Sequence, residues 1–99
     1  MYSIVYTKRA NNDIAKLKGA GLDKKAKSLI DLIRGNPFIS PPTFEKLKGD
    51  LSGAYSRRIN IKHRLVYRVD EDKKTVIIIM MWTHYEYCAS TYLTYKARI

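Results

Sequence analysis

Phe44-Glu45-Lys46-Leu47-Lys48-Gly49-Asp50-Leu51-Ser52-Gly53-Ala54-Tyr55-Ser56-Arg57-Arg58-Ile59-Asn60-Ile61-Lys62-His63-Arg64-Leu65-Val66-Tyr67-Arg68-Val69 reads as two strands around a turn at Lys62-His63, entered through a turn-rich segment. Side chains on a strand alternate between its two faces. Before the turn, Tyr55, Arg57, Ile59 and Ile61 share one side, and Ser56, Arg58 and Asn60 the other. After it, Leu65, Tyr67 and Val69 point one way, and Arg64, Val66 and Arg68 the other. With the aliphatic side chains turned to a core, Arg58, Arg64 and Arg68 line up on the opposite face. A row of guanidinium groups needs either open water or an anionic partner, and a solvated basic face is the plainer of the two readings.

The flanking sequence supplies the rest of a small domain. Ser3-Ile4-Val5-Tyr6-Thr7 is β-branched and aromatic, the composition of a strand. Thr7 then caps a helix in which Ala10, Ile14 and Leu17 recur at helical spacing, with Gly19 and Gly21 at its end. Asp23 is placed to cap a second helix, whose apolar stripe is Ala26, Leu29, Ile30 and Ile33. Gly35-Asn36-Pro37 stops it. Residues 38–43 form a connector that Pro41-Pro42 stiffens, which fixes Glu45 at a sheet edge. Asp70-Glu71-Asp72-Lys73-Lys74 is a polar hairpin turn. Val76-Ile77-Ile78-Ile79-Met80-Met81-Trp82 is an apolar run that fits a central strand buried on both faces. The expected fold class is α+β, with two helices on one face of a small, twisted, mainly antiparallel sheet. Residues 1–85 form one domain, and residues 86–99 are a C-terminal extension with no assigned role.

Totals narrow the partners. A chain of 99 residues with 45% hydrophobic and 28% charged side chains is globular. Its net charge of +10 favours nucleic acid, an anionic membrane surface or an acidic protein. No apolar run reaches the ~20 residues of a membrane span, so no membrane partner is expected. Lys8 and Arg9 follow the apolar start, the reverse of a signal peptide. Cys88 is a single thiol, and the cytoplasm is the expected compartment. No spacing of His, Cys, Asp and Glu points to a metal, no glycine-rich loop points to a nucleotide, and no cofactor is expected.

Glu45, the hairpin cations and His84-Tyr85 are the parts of an acid–base cleavage of a phosphodiester. RNA is cut when its 2′-OH attacks the neighbouring phosphorus. That step needs a base for the 2′-oxygen, an acid for the departing 5′-oxygen, and positive charge on the phosphoryl oxygens. Plainer readings stand beside this one. Glu45 is equally a surface ion-pair partner, His63 a structural turn residue, His84 a satisfied strand-end histidine, and Trp82 a core side chain.

Glu45-x-Leu47-Lys48, Leu51-Ser52-Gly53, Ser56-Arg57-Arg58-Ile59, His63-Arg64-Leu65-Val66-Tyr67 and His84-Tyr85 together resemble the signature of the YoeB/Txe group of RelE-type toxins, over about residues 1–85. These are ribosome-dependent mRNA endoribonucleases of type II toxin–antitoxin systems. The resemblance implies a general base at Glu45, a transition-state arginine at Arg64, a general acid at His84, and an orienting tyrosine at Tyr85. It implies RNA-binding roles for Lys48 and Arg58 near the scissile phosphate, joined by Arg57, His63 and Arg68. It also implies the ribosome and mRNA as partners, and an acidic cognate antitoxin of the YefM/Axe kind that forms a hetero-oligomer with the toxin. Residues 86–99 depart from the pattern, which normally stops near the His-Tyr pair. Two other readings remain open: a ParE-like inhibitor of gyrase acting by protein contact, and a non-catalytic basic module that binds RNA or an antitoxin.

Overall fold

A computed structural model describes residues 1–82 of the chain. Along the sequence run β1 (Ser3–Tyr6), α1 (Lys8–Gly19), α2 (Asp23–Gly35), β2 (Phe44–Lys46), a single 3-10 turn (Gly49–Leu51), β3 (Ala54–Arg58), β4 (Arg64–Asp70) and β5 (Thr75–Met80). The strands form one five-stranded sheet in the order β1-β5-β4-β3-β2. β2, β3, β4 and β5 pair antiparallel in succession, and β1 joins β5 in parallel. The α+β class and the mainly antiparallel sheet agree with the sequence reading.

The two helices cover one face. Ala10 and Leu17 of α1 and Ala26, Leu29, Ile30 and Ile33 of α2 pack with Leu65, Tyr67, Val76 and Ile78 of the sheet. Thr7 caps α1 as its spacing predicts, its hydroxyl accepting from the Ala10 amide at 3.1 Å. α2 begins differently. Its N-cap is Leu22, and Asp23 is the first helical residue, with no side-chain cap bond. There its carboxylate lies in the first turn, where it favours the positive end of the helix dipole.

Strand β3 stops at Arg58, earlier than the alternation predicts. The Asn60 side-chain oxygen accepts from the Lys62 and His63 amides at 2.9 and 2.7 Å, closing a local turn. Ile61 therefore leaves the core phase and lies 75% exposed. The apolar run of β5 lies between β1 and β4, inside the sheet. Only its helix-facing side is closed: Val76 and Ile78 are buried, while Ile77, Ile79 and Met80 are half-buried. The expectation of burial on both faces is corrected accordingly.

Candidate active site

The face opposite the helices collects the charged residues. In the β2–β3–β4 register, Glu45 lies opposite Ser56, and Arg58 lies opposite Arg64. Two arginines facing each other across a strand pair repel unless an anion intervenes. Glu45 supplies it, reaching over Ser56 from the edge strand. One nitrogen of Arg64, Nη1, donates both to Glu45 Oε1 and to Ser56 Oγ, the latter at 3.1 Å. The Arg64 side chain is 7% exposed and that of Glu45 59%. A buried guanidinium thus sits on the floor of the site, with a carboxylate at its mouth. With Glu45 open to solvent, screening leaves such a pair worth only about 0–1 kcal/mol to the fold.

The other cations divide by strand phase. Arg58 and Lys48 are exposed near Glu45 in sequence and register. Arg68 sits lower in the same row and donates to the Ser52 carbonyl at 2.8 Å. Its guanidinium folds over Gly53, whose φ of +90° favours glycine; a Cβ there would meet Arg68 Nη1 at 3.0 Å and press that guanidinium aside. His63 is buried, its ring stacked on Trp82 with centroids 3.9 Å apart. Trp82 itself is half-buried.

Arg57, included in the RNA-binding set on sequence grounds, is corrected by its position. It is 1% exposed on the helix-facing side. Its fork donates to the Pro42 carbonyl at 2.6 Å, the Pro37 carbonyl at 3.0 Å and the Tyr67 hydroxyl at 3.0 Å. The Tyr67 hydroxyl in turn donates to Pro37 O at 2.7 Å. Burial pushes the Tyr67 phenol above the usual tyrosine range, against a smaller opposing pull from Arg57. The guanidinium also lies 4.8 Å over the Phe44 ring. Arg57 therefore ties residues 37–42 to the sheet and fixes the strand that carries Glu45. At 1% exposure it offers no N–H to an external phosphate.

His84 and Tyr85 lie outside the described residues, as does the extension. Two polar residues in place here had no role in the sequence reading. Ser56 is in phase with Arg58, two residues on, and that alternation is the signal that places it on the arginine face. Asp13 is wholly buried on α1, and its Oδ2 accepts from the Met81 and Trp82 amides at 3.0 and 3.2 Å. Its signal is spacing: Ala10, Asp13, Ile14 and Leu17 form one continuous helical stripe. Among the described residues, no cluster of three or more His, Cys, Asp or Glu is arranged to hold a metal ion. No helix among them is long and apolar enough to cross a membrane.

Known proteins share this fold. The chain is similar over most of its length to the YoeB/ParE toxin from Agrobacterium tumefaciens, with a TM-score of 0.76 and 33% identity, covering 84% of this chain and 99% of that one. The toxin in the YoeB-YefM complex from Staphylococcus aureus aligns with a TM-score of 0.72 and 34% identity, over 86% and 99% of the two chains. Two helices on one face of this five-stranded sheet are thus the fold of RelE/YoeB toxin structures. In sequence, the chain is 44% identical over 62 residues to Toxin YoeB of Streptomyces coelicolor, covering 63% of this chain and 71% of that one. Toxin YoeB of Escherichia coli K12 matches with the same identity and coverage. Residues 6–85 match the family described as YoeB-like toxin of bacterial type II toxin-antitoxin system. The chain belongs to that family.

Proposed function

We propose that this toxin is a ribosome-dependent endoribonuclease that cuts mRNA in the A site and so arrests translation. The observation that carries the reading is the Glu45–Arg64 pair on the open face, a proton acceptor and a phosphate-binding cation within one hydrogen bond. Glu45 takes the proton of the 2′-OH. The freed oxygen attacks the adjacent phosphorus, and the 5′-oxygen leaves with a proton from His84. The products are a 2′,3′-cyclic phosphate and a 5′-hydroxyl. Arg64 bears the charge that grows on the phosphoryl oxygens. Lys48 and Arg58 hold the flanking phosphates, Arg68 extends the row, and Tyr85 orients substrate or His84. His63 acts from beneath, by its stack on Trp82, rather than by contact with RNA.

The partner in the resting state is an acidic antitoxin. The Staphylococcus aureus relative was solved with YefM, and the same arginine face suits carboxylates in place of phosphates. The working compartment is the cytoplasm, with the ribosomes.

The test is translation of a defined mRNA in a purified bacterial system, with message ends mapped by primer extension. The wild type should give a discrete cut within the A-site codon. Glu45→Gln and His84→Gln should each slow it at least about 100-fold, the usual worth of a positioned acid or base. Arrest with uncut message would make the face a binding surface. Gyrase-dependent DNA damage with intact message would instead establish the protein-contact inhibitor.

A further inference from the structure

We propose that Asp13 and Arg9 of α1 are positioning residues for His84, acting through the main chain at Met81 and Trp82. This rests on the reading of His84 as the general acid above. β5 leaves the ladder at Met80, so strand pairing no longer directs the chain from there. Asp13 Oδ2 accepts from the Met81 and Trp82 amides at 3.0 and 3.2 Å. Arg9 Nη2 donates to the Trp82 carbonyl at 3.1 Å, and its Nε lies 3.4 Å from the same carboxylate oxygen. The Trp82 ring stacks on His63, with 3.9 Å between centroids and 20° between planes. His63 directly precedes Arg64, the first residue of β4. Residue 82 is therefore registered against α1 by its main chain and against the strand of Arg64 by its ring.

Burying a carboxylate at this place is costly. Ala10, Ile14 and Leu17 make the rest of the stripe apolar, and Asp13 within it is 0% exposed. An apolar side chain would fill the position without taking a charge out of water. What a carboxylate adds is a hold on two successive amides beyond the end of the strand. His84 follows two residues later, at most about 7 Å along an extended chain, so a shift of residue 82 has only that length over which to be absorbed. A displacement of about 1 Å in a reacting group costs on the order of 100-fold in rate.

The experiment is single-turnover cleavage of programmed ribosomes by Asp13→Ala, Arg9→Ala and His84→Gln, and by each of the first two combined with His84→Gln. Two messages are compared, one normal and one with sulfur in place of the scissile 5′-oxygen. In the normal message the P–O bond breaks and the oxygen takes the proton of His84. In the other the P–S bond breaks and sulfur leaves as a thiolate, a weaker base that needs no acid. On the normal message, Asp13→Ala and Arg9→Ala should each lose about tenfold in the rate at saturating ribosomes, with half-saturation within about twofold of wild type. On the sulfur message both losses should shrink to about twofold or less, as should that of His84→Gln. Neither should lose further beside His84→Gln, because a residue acting through His84 has nothing left to act on. The Arg9 side chain is 47% exposed, so its variant carries the test if Asp13→Ala does not fold.

Four results overturn the proposal: an unchanged rate on the normal message, a loss confined to half-saturation, an equal loss on both messages, or a further loss beside His84→Gln. The reading beneath it fails in a different way. If the wild type cuts neither message, the protein is not this nuclease. If His84→Gln is as slow on the sulfur message as on the normal one, His84 is not the acid. Either result removes the positioning role as well.

Discussion

Arg57 and Arg58 are adjacent, carry the same charge, and do unrelated work. One residue of strand phase separates a guanidinium spent on Pro37, Pro42 and Tyr67 from one that is exposed on the arginine face. Arg57→Ala takes the donor from the Pro42 carbonyl and leaves a void where the guanidinium lay, while the Pro37 carbonyl keeps the Tyr67 hydroxyl. A carbonyl without its donor costs about 1–3 kcal/mol and the void adds to it, so a loss of about 3 kcal/mol is expected. That is a large share of the about 5–15 kcal/mol that holds a domain together. Arg58→Ala should stay within about 0.5 kcal/mol of wild type, as exposed substitutions usually do, while weakening RNA binding. Urea midpoints of the two variants make the comparison. A destabilised Arg58→Ala or a fully stable Arg57→Ala would contradict the assignment of faces.

The alternation in Tyr55-Ser56-Arg57-Arg58 already separated these two arginines, so their faces were legible. What was not legible is why an arginine belongs in the core phase. Its partners are carbonyls of a loop some 15 to 20 residues earlier in the chain, and no local pattern announces them. The Glu45–Arg64 pair lay between these cases. Alternation gave the arginine its face, but the reach of Glu45 across Ser56 depends on the β2–β3 register.

Among the elements, α1 and the end of β5 show how a helix can finish a strand. β5 leaves the ladder at Met80, and the next two amides have no strand to bond. Asp13 accepts both, while Arg9 of the same helix donates to the Trp82 carbonyl at 3.1 Å and lies 3.4 Å from Asp13. The peptide groups at residue 82 are thereby held from both sides, two residues before His84. Asp13→Ala should cost about 3 kcal/mol, the worth of two amides left without an acceptor. Hydrogen exchange at Met81 and Trp82 should rise more than at Val76. Uniform acceleration throughout the sheet, with no local excess, would show that Asp13 serves the fold in general rather than this exit.

For the molecule as a whole, a charge of +10 acts at a distance and the strand phase acts on contact. On the proposed reading four basic side chains, Lys48, Arg58, Arg64 and Arg68, meet phosphate. Single-stranded RNA loses affinity with a log–log slope of about −0.7 per phosphate neutralised. Raising salt from about 50 to about 200 mM should therefore weaken binding of an uncleavable RNA strand about fiftyfold. Each lysine or arginine removed from this face should lower the slope by about 0.7, and Lys24→Ala on α2 should leave it nearly unchanged. Salt-independent binding would mean that apolar contacts dominate and that the arginine face is not the RNA site.

The parallel β1–β5 pairing sets a schedule for the domain. Of the described strands β1 is made first and β5 last, and among them β1 meets the rest of the sheet only through β5. A nascent chain can build its helices and the β3–β4 hairpin early, but the sheet cannot close until residues 75–80 have left the exit tunnel. Val76 and Ile78, which seal the core beneath the helices, arrive in that same last stretch. A protein whose proposed target is the translating ribosome thus has no closed sheet under its candidate site until β5 is clear of the ribosome that makes it.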